Sequence, residues 1–554
     1  MKRREFLKDS VIGATGLVAA GSGLLNPTIL TAARTQKNTS AGELSFFPQY
    51  VQRGQGAKLL DWAYATDSNW DSFHSNITAN EGGVKISDAA GQKKFGIDVR
   101  WNVEDFGYLF LTADNGGKYY ELPAEGKSTE LNLNLELAKS RVLRNRRRLK
   151  KLQKDSRWEP STETKGLVDL SDEYYHDARK LSIKDIKCGQ YAQKSLNYAL
   201  YASEAMELDN AHYLITQQGH RPDFFMGCDA RSFIQMDPEL FMERFTEIYN
   251  YATITHYNLS GYYQDFERVE GQKEFGLRQE VFNQLKRNNI TVEGRPLYWP
   301  YKSVTPDWLR NKSYDQLLLY IEDHVRKTVG HYGDGMYAWE VVNESHDWAN
   351  ELQLKPDQIT QVTKLACEVA KDTNPNVGRL INNCCPFAEY VQLKKWGELD
   401  AKYPQRTPHQ FMQDLVDAEV DFTITGQQMY FPYRDLQDTI LLVERLEEFG
   451  RPVQLTEVGA SSGPTKESIN SGRLEMPTEP YIWRRPWDEE LQADWLEGLY
   501  TLAYSKPWIE AVNWYDFVDP YSWIKTGGML RSTAGEPKAS YHRLLKLQNE
   551  WKAL

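Results

Sequence analysis

Between Phe224 and Phe517 the chain repeats one texture: a short apolar run, then a longer amphipathic stretch, then another short apolar run. Short runs separated by helix-length segments are the pattern of βα units, because a parallel strand pair needs a crossover long enough to hold a helix. Eight strand candidates are Phe224–Ala230, Ala252–Tyr257, Thr291–Trp299, Met336–Val342, Arg379–Asn383, Asp421–Met429, Val453–Glu457 and Ala511–Phe517. Eight such units predict an α/β fold, a (β/α)8 TIM barrel over residues 221–554. Chemistry in that fold sits where the strands end, on the C-terminal face.

A chain of 554 residues exceeds one barrel, so a second folded part is expected. Residues 43–135 show short alternating segments such as Gly96 to Trp101 and Tyr108 to Ala113, set off by turns at Glu81-Gly82-Gly83 and Asp114-Asn115-Gly116-Gly117. They predict a small all-β, sandwich-like domain. A helical linker region over 136–220 follows, with helical periodicity at 135–155 and 188–218. Inside it the run from Arg141 to Lys154 carries Arg144, Arg146, Arg147, Arg148, Lys150 and Lys151, with Leu143, Leu149 and Leu152 on one side. That reads as a surface helix with a solvated basic face, since charge runs usually face water.

Residues 1–42 read as an export signal and linker. Met1 to Lys8 is MKRREFLK, and the small, apolar stretch from Val11 to Leu25 follows it. The Arg3-Arg4 pair resembles a bacterial twin-arginine signal, which predicts an exported protein, periplasmic or extracellular. No later segment is apolar over a spanning length, so no integral span is expected in the mature protein.

The net charge of −11 disfavours nucleic acid as a partner. Cys188, Cys228, Cys367, Cys384 and Cys385 form no CxxC pair, and the ten His residues form no HExxH. They read as buried thiols and scattered imidazoles, with no metal and no cofactor expected. The 16 Trp, 32 Tyr and 21 Phe point weakly to carbohydrate, whose C–H faces stack on aromatic rings.

Two strand candidates end in carboxylates. The fourth closes on Asn343-Glu344 and the seventh on Thr456-Glu457. Strands four and seven face each other across a barrel mouth, so side chains 113 positions apart converge. Retaining glycoside hydrolysis needs that pair: an acid for the leaving oxygen and a carboxylate about 5–5.5 Å away to attack the anomeric carbon. Glu344 is the candidate acid/base and Glu457 the candidate nucleophile. Asn343, beside the acid, is placed to donate to a sugar hydroxyl.

The segments WEVVNE and QLTEVG resemble the paired signatures of glycoside hydrolase family 10, the β-1,4-xylanase family. Gly294 to Trp299, Thr305 to Trp308, Gly426 to Tyr430, and Trp514 with Tyr521-Ser522-Trp523 are similar to further stretches of that family, in its order, over about residues 222 to 548. The resemblance implies Glu344 as acid/base and Glu457 as nucleophile. It further implies Gln428, Asn343 and Asn382 as sugar contacts, and Trp514 and Trp523 as stacking surfaces, with Trp299, Tyr262 and Tyr430 also in the subsites. The chain departs from the family at Pro300 and Tyr430, where the family usually has His, and at Leu259 and Tyr262, where it has Asn and Lys. Those exchanges remove hydrogen-bond donors to sugar hydroxyls, so plain xylan does not follow as the substrate. The expected function is a retaining hydrolase of a β-linked poly- or oligosaccharide, xylan-like or decorated. The alternative is a carbohydrate-binding protein on the same barrel without turnover. A metal-dependent sugar isomerase is disfavoured, because Tyr430, Pro300 and Asn382 stand where ligands would be needed.

Overall fold

The computed structural model describes residues 42–554 apart from 52–58, 156, 261–262, 347, 397–398, 431 and 464–480. The export signal expected before Gly42 and the subsite residue Tyr262 lie outside the described residues.

Two sheets come first. Strands β1 (Glu43–Phe47), β4 (Asn76–Asn80), β5 (Gly83–Asp88) and β8 (Ser128–Asn132) form one sheet in the order β4-β5-β1-β8. The other holds β2 (Leu59–Thr66), β3 (Ser72–Phe73), β6 (Gly96–Val103) and β7 (Gly107–Ala113). Their inward side chains share one core, in which Phe46 meets Tyr120 edge to face at 5.0 Å. Three helices follow: α1 (Leu133–Leu152), α2 (Thr162–Arg179) and α3 (Ile186–Gln218).

The barrel closes through β9 (Phe225–Asp229), β10 (Tyr251–Thr255), β11 (Thr291–Arg295), β12 (Ala338–Asn343), β13 (Gly378–Asn383), β16 (Ile424–Tyr430), β17 (Val453–Gly459) and β19 (Ile509–Trp514). All neighbours are parallel, and each strand overlaps a predicted one. Such strands are covered on both faces, which is why they read as near-continuous apolar runs. A helix follows each strand: α4 (Pro238–Ile248), α5 (Gly276–Arg287), α6 (Tyr314–Tyr332), α7 (Pro356–Thr373), α8 (Pro408–Asp417), α9 (Leu436–Glu444), α10 (Glu489–Tyr504) and α11 (Ala539–Lys552). Capping boxes at Ser313 and Thr407 start α6 and α8 by satisfying the first free N–H groups. A small hairpin, β14 (Lys395–Trp396) and β15 (Leu399–Asp400), decorates the loop after β13. Among the described residues no helix is long and apolar enough to cross a membrane.

The β-rich region and the barrel are joined through a shared sheet. Strand β18 (Ile482–Trp483), from the segment between β17 and α10, pairs antiparallel with β7. Gly107 makes this possible: its φ is +143°, and a Cβ there would fall 2.0 Å from the Ile482 carbonyl oxygen. Beside it the Phe110 N–H donates to Tyr433, and buried Arg434 pairs with Asp98 at 2.6 Å.

Helix α1 corrects the reading of its basic run in part: Arg146, Arg147, Lys150 and Lys151 are exposed as expected, while the other arginines turn inward. Arg141, Arg144 and Arg148 are only 3, 6 and 5% exposed, and their spacing puts them on the face turned inward. Arg141 forms a two-pronged pair with Asp435, Arg144 reaches Asp438 at 2.5 Å, and Arg148 binds Glu207 and Glu444 at 2.7 Å each. The partners Asp435, Asp438 and Glu444 belong to α9 and its cap, so these arginines fasten α1 to the barrel.

A stability prediction follows. Burial by itself would raise the Glu444 carboxyl, but the hydrogen bonds and charges of Arg148 and Lys506 outweigh it and hold it at about 2. A carboxylate depressed in the folded state stabilises the fold fully above its unfolded value of about 4.3 and loses that contribution as pH falls toward 2. Arg148→Met, which leaves buried Glu207 without a cationic partner among the described residues and Glu444 with only Lys506 and Lys151, is expected to lower the unfolding free energy by about 3–5 kcal/mol at neutral pH. The deficit should shrink as pH drops below about 4.3. Equilibrium denaturation of both proteins at several pH values checks the size and the trend.

Candidate active site

Glu344 directly follows β12 with φ +53°, a left-handed conformation that a side-chain-bearing residue adopts at a cost of about 1–3 kcal/mol. Its N–H donates to the Asn382 carbonyl at 2.9 Å, which fixes the turn. Its carboxylate accepts from the Trp299 indole at 3.1 Å and from Gln428 Nε2 at 3.0 Å.

Glu457 lies within β17 where the ladder slips. Gln427 pairs with Leu455 and Gln428 with Glu457, so Thr456 is an extra residue. Successive strand side chains normally point to opposite faces, yet both Thr456 and Glu457 reach Asn382. The Thr456 hydroxyl donates to Asn382 Oδ1 at 2.5 Å, and Asn382 Nδ2 donates to Glu457 Oε1 at 3.0 Å. The same Oε1 accepts from Arg295 Nη2 at 2.6 Å and Gln428 Nε2 at 3.0 Å, and Oε2 accepts from the Tyr430 hydroxyl.

One nitrogen, Gln428 Nε2, therefore stands 3.0 Å from an oxygen of each carboxylate. Those two oxygens are at most twice that distance apart, 6.0 Å. Retaining pairs are spaced about 5–5.5 Å and inverting pairs about 6.5–9.5 Å, so the arrangement falls short of the inverting range.

Arg295 is 1% exposed and wedged between Glu457 and Glu340, whose oxygen lies 3.7 Å from its Nε. Burial pushes the Glu340 carboxyl well above the ordinary range; Arg295 opposes this, and the charges of Glu457 and Glu293 add to it. Burial thus favours the protonated form of Glu340. Burial, with the charge of Glu457 beside it, also raises the Tyr430 hydroxyl well above its usual value, so it remains a neutral donor.

Asn343 and Asn382 are buried with the carboxylates; Asn382 Nδ2 also donates to Asn343 Oδ1 at 3.1 Å and to Glu340 at 2.9 Å. Trp299 is half-buried, stacked on Tyr301 at 5.0 Å. Half-buried Trp523 packs against Tyr430, Tyr515 and Ile524. Trp514 is a correction. It is 0% exposed, donates to the Gly527 carbonyl and meets Trp495 of α10 edge to face at 6.2 Å. A ring turned into the helix layer has no face left for a sugar. Sequence reasoning did not give Arg295 its role beside Glu457, and it left Glu340 and Tyr257, whose hydroxyl accepts from Arg295 at 3.3 Å, out of the site. Strand alternation placing Glu293 and Arg295 on one face was the available signal. Among the described residues no group of three His, Cys, Asp or Glu is arranged to hold a metal ion.

A closed (β/α)8 barrel with this carboxylate pair at its mouth defines a glycoside hydrolase. Residues 245–547, more than half of the chain, match the model of glycosyl hydrolase family 10, and the chain belongs to that family. It is 24% identical to a beta-1,4-xylanase of Dictyoglomus thermophilum over 45% of this chain and 67% of that protein. It is 23% identical to endo-1,4-beta-xylanase B of Thermotoga neapolitana over 47% and 66%. The chain thus spans about two thirds of the length of these curated relatives. Native xylanase 10B from Thermotoga maritima, a crystal structure, aligns at 17% identity over 62% of this chain and 99% of that one, with a TM-score of 0.46.

Proposed function

We propose that this protein is an exported retaining β-glycosidase acting on a xylan-type or related decorated β-glycan, with residues 221–554 as its catalytic barrel. Glu344 protonates the leaving glycosidic oxygen while Glu457 attacks the anomeric carbon. Glu344 then takes a proton from the water that releases the glycosyl-enzyme intermediate. The observation that carries this reading is Gln428 Nε2 at 3.0 Å from both carboxylates, which bounds their separation. Arg295 and Tyr430 donate to Glu457 and position it. Asn343 and Gln428 meet the sugar at the reacting centre, with Trp299 and Trp523 as aromatic walls and Asn382 positioning Glu457 from behind.

Tyr430 and Pro300 in place of the family's usual His residues exchange imidazole donors for a phenol and an apolar ring. Decorated or related β-glycans are therefore expected to be better substrates than unsubstituted xylo-oligosaccharides. Proton NMR of the first product released from a panel of plant and algal β-glycans tests the reading. The expected result is a β-anomer formed first. An α-anomer formed first overturns double displacement, and no hydrolysis of any glycan in the panel favours the binding-protein alternative.

A further inference from the structure

Two cavities of about 330 and 440 Å³ meet at Tyr119 on the β-rich region, and no residue of the barrel mouth lines either. The smaller lies between Trp70, Tyr119, Arg144 and Arg147, and the larger continues past Lys94 and Lys118. Trp70 and Tyr119 both sit at positive φ, +69° and +62°, a conformation bulky residues rarely adopt. Their strain is held in place: the Tyr119 hydroxyl donates to the Ser68 carbonyl at 3.0 Å, and its N–H donates to Asp114 at 2.8 Å. Backbone strain at two aromatic residues of one groove is the kind found at ligand clamps.

The charges point the same way. The protein carries a net −11, yet Lys94, Lys118 and Arg147 line this groove with no ion pair among the described residues. Among the described residues Arg147 donates only to the Gly116 carbonyl, at 2.7 Å. The guanidinium of Arg144, itself paired with Asp438, lies over the Trp70 ring at 4.8 Å. Of the acidic groups present, Asp114 is engaged by Arg144 at 3.8 Å and by the Gly117 N–H, and Glu121 lines only the larger cavity. Aromatic faces beside uncompensated cations suit a ligand with a flat C–H face and a carboxylate.

We propose that this groove is a second saccharide site that binds a uronic acid residue of an acidic β-glycan, its ring against Trp70 and Tyr119 and its carboxylate on Arg147 and Lys118. The inference rests on the glycan-hydrolase reading and adds the acidic substituent and the holding site. The site tethers an acidic polymer to the enzyme while the barrel works along it, which raises the effective concentration of substrate at the mouth.

The test uses the full chain with Glu457→Gln, which leaves the groove intact. Isothermal titration with a glucuronic-acid-substituted xylo-oligosaccharide is expected to show two sites, and xylotetraose one. Adding Lys118→Ala with Arg147→Ala should weaken the second site by at least about tenfold. With Glu457 restored, that pair of substitutions should leave hydrolysis of an aryl β-xyloside unchanged. A single site unaffected by the pair, or equal filling of the groove by xylotetraose, overturns the proposal. If the double variant does not fold, Lys94→Gln with Lys118→Gln carries the same comparison. Failure of the hydrolase reading is separately visible, as absent turnover in the unaltered chain.

Discussion

Glu457→Gln is expected to abolish turnover on every substrate, by at least about four powers of ten in kcat, because no other group can form the covalent intermediate. Loss on natural glycans and on aryl glycosides alike is the signature of a missing nucleophile, since a good leaving group does not replace the attacking atom. Gln is preferred to Ala for a structural reason. The Glu457 carboxylate satisfies Arg295, Asn382, Gln428 and Tyr430 together, and removing the whole side chain would leave a buried guanidinium with Glu340 as its only carboxylate among the described residues. An amide of the same volume keeps an acceptor for Arg295, so the loss can be attributed to chemistry once thermal unfolding shows an intact fold. Stopped-flow assays with a dinitrophenyl glycoside should show no burst. A burst, or activity within tenfold of the unaltered enzyme, would take the nucleophile's role away from Glu457.

The barrel was legible because its strands are covered on both faces and so stand out as apolar runs between helix-length segments. Glu344 and Glu457 stood out as carboxylates at the ends of two of those strands. What long-range pairing decides was not legible. Nothing in Ile482–Trp483, two residues long, announces that it completes a sheet by pairing with β7, some 370 positions earlier. The arginines of α1 look like a solvated charge run until Asp435, Asp438 and Glu444, nearly 300 positions away, are brought against them. Trp514 shows the limit of residue type: an aromatic at a strand end can face the mouth or the helix layer, and its contact with Trp495 puts it in the latter. The role of Arg295 beside Glu457 was not legible because a buried cation inside a barrel strand has meaning only once its carboxylate partners are known.

Glu344→Ala should behave differently from any change at Glu457. An acid catalyst matters in proportion to how poorly the leaving oxygen bears negative charge, so natural glycans should lose about 10²–10⁴ in kcat/KM. A dinitrophenolate departs without protonation, and its release should survive as a burst followed by a slow steady state. The slow phase arises because the same carboxylate must deprotonate water in the second step. Trp299 and Gln428, which both donate to Glu344, remain after the substitution and line the space it vacates. Azide, a small anion that needs no general base, should enter that space and attack the glycosyl-enzyme, restoring turnover and giving a β-glycosyl azide. Accumulation of the covalent intermediate by intact-mass measurement and recovery of the azide product together assign Glu344 as acid/base. Equal loss on aryl and natural substrates, with no azide product and an unchanged melting temperature, would show that the proton comes from another group.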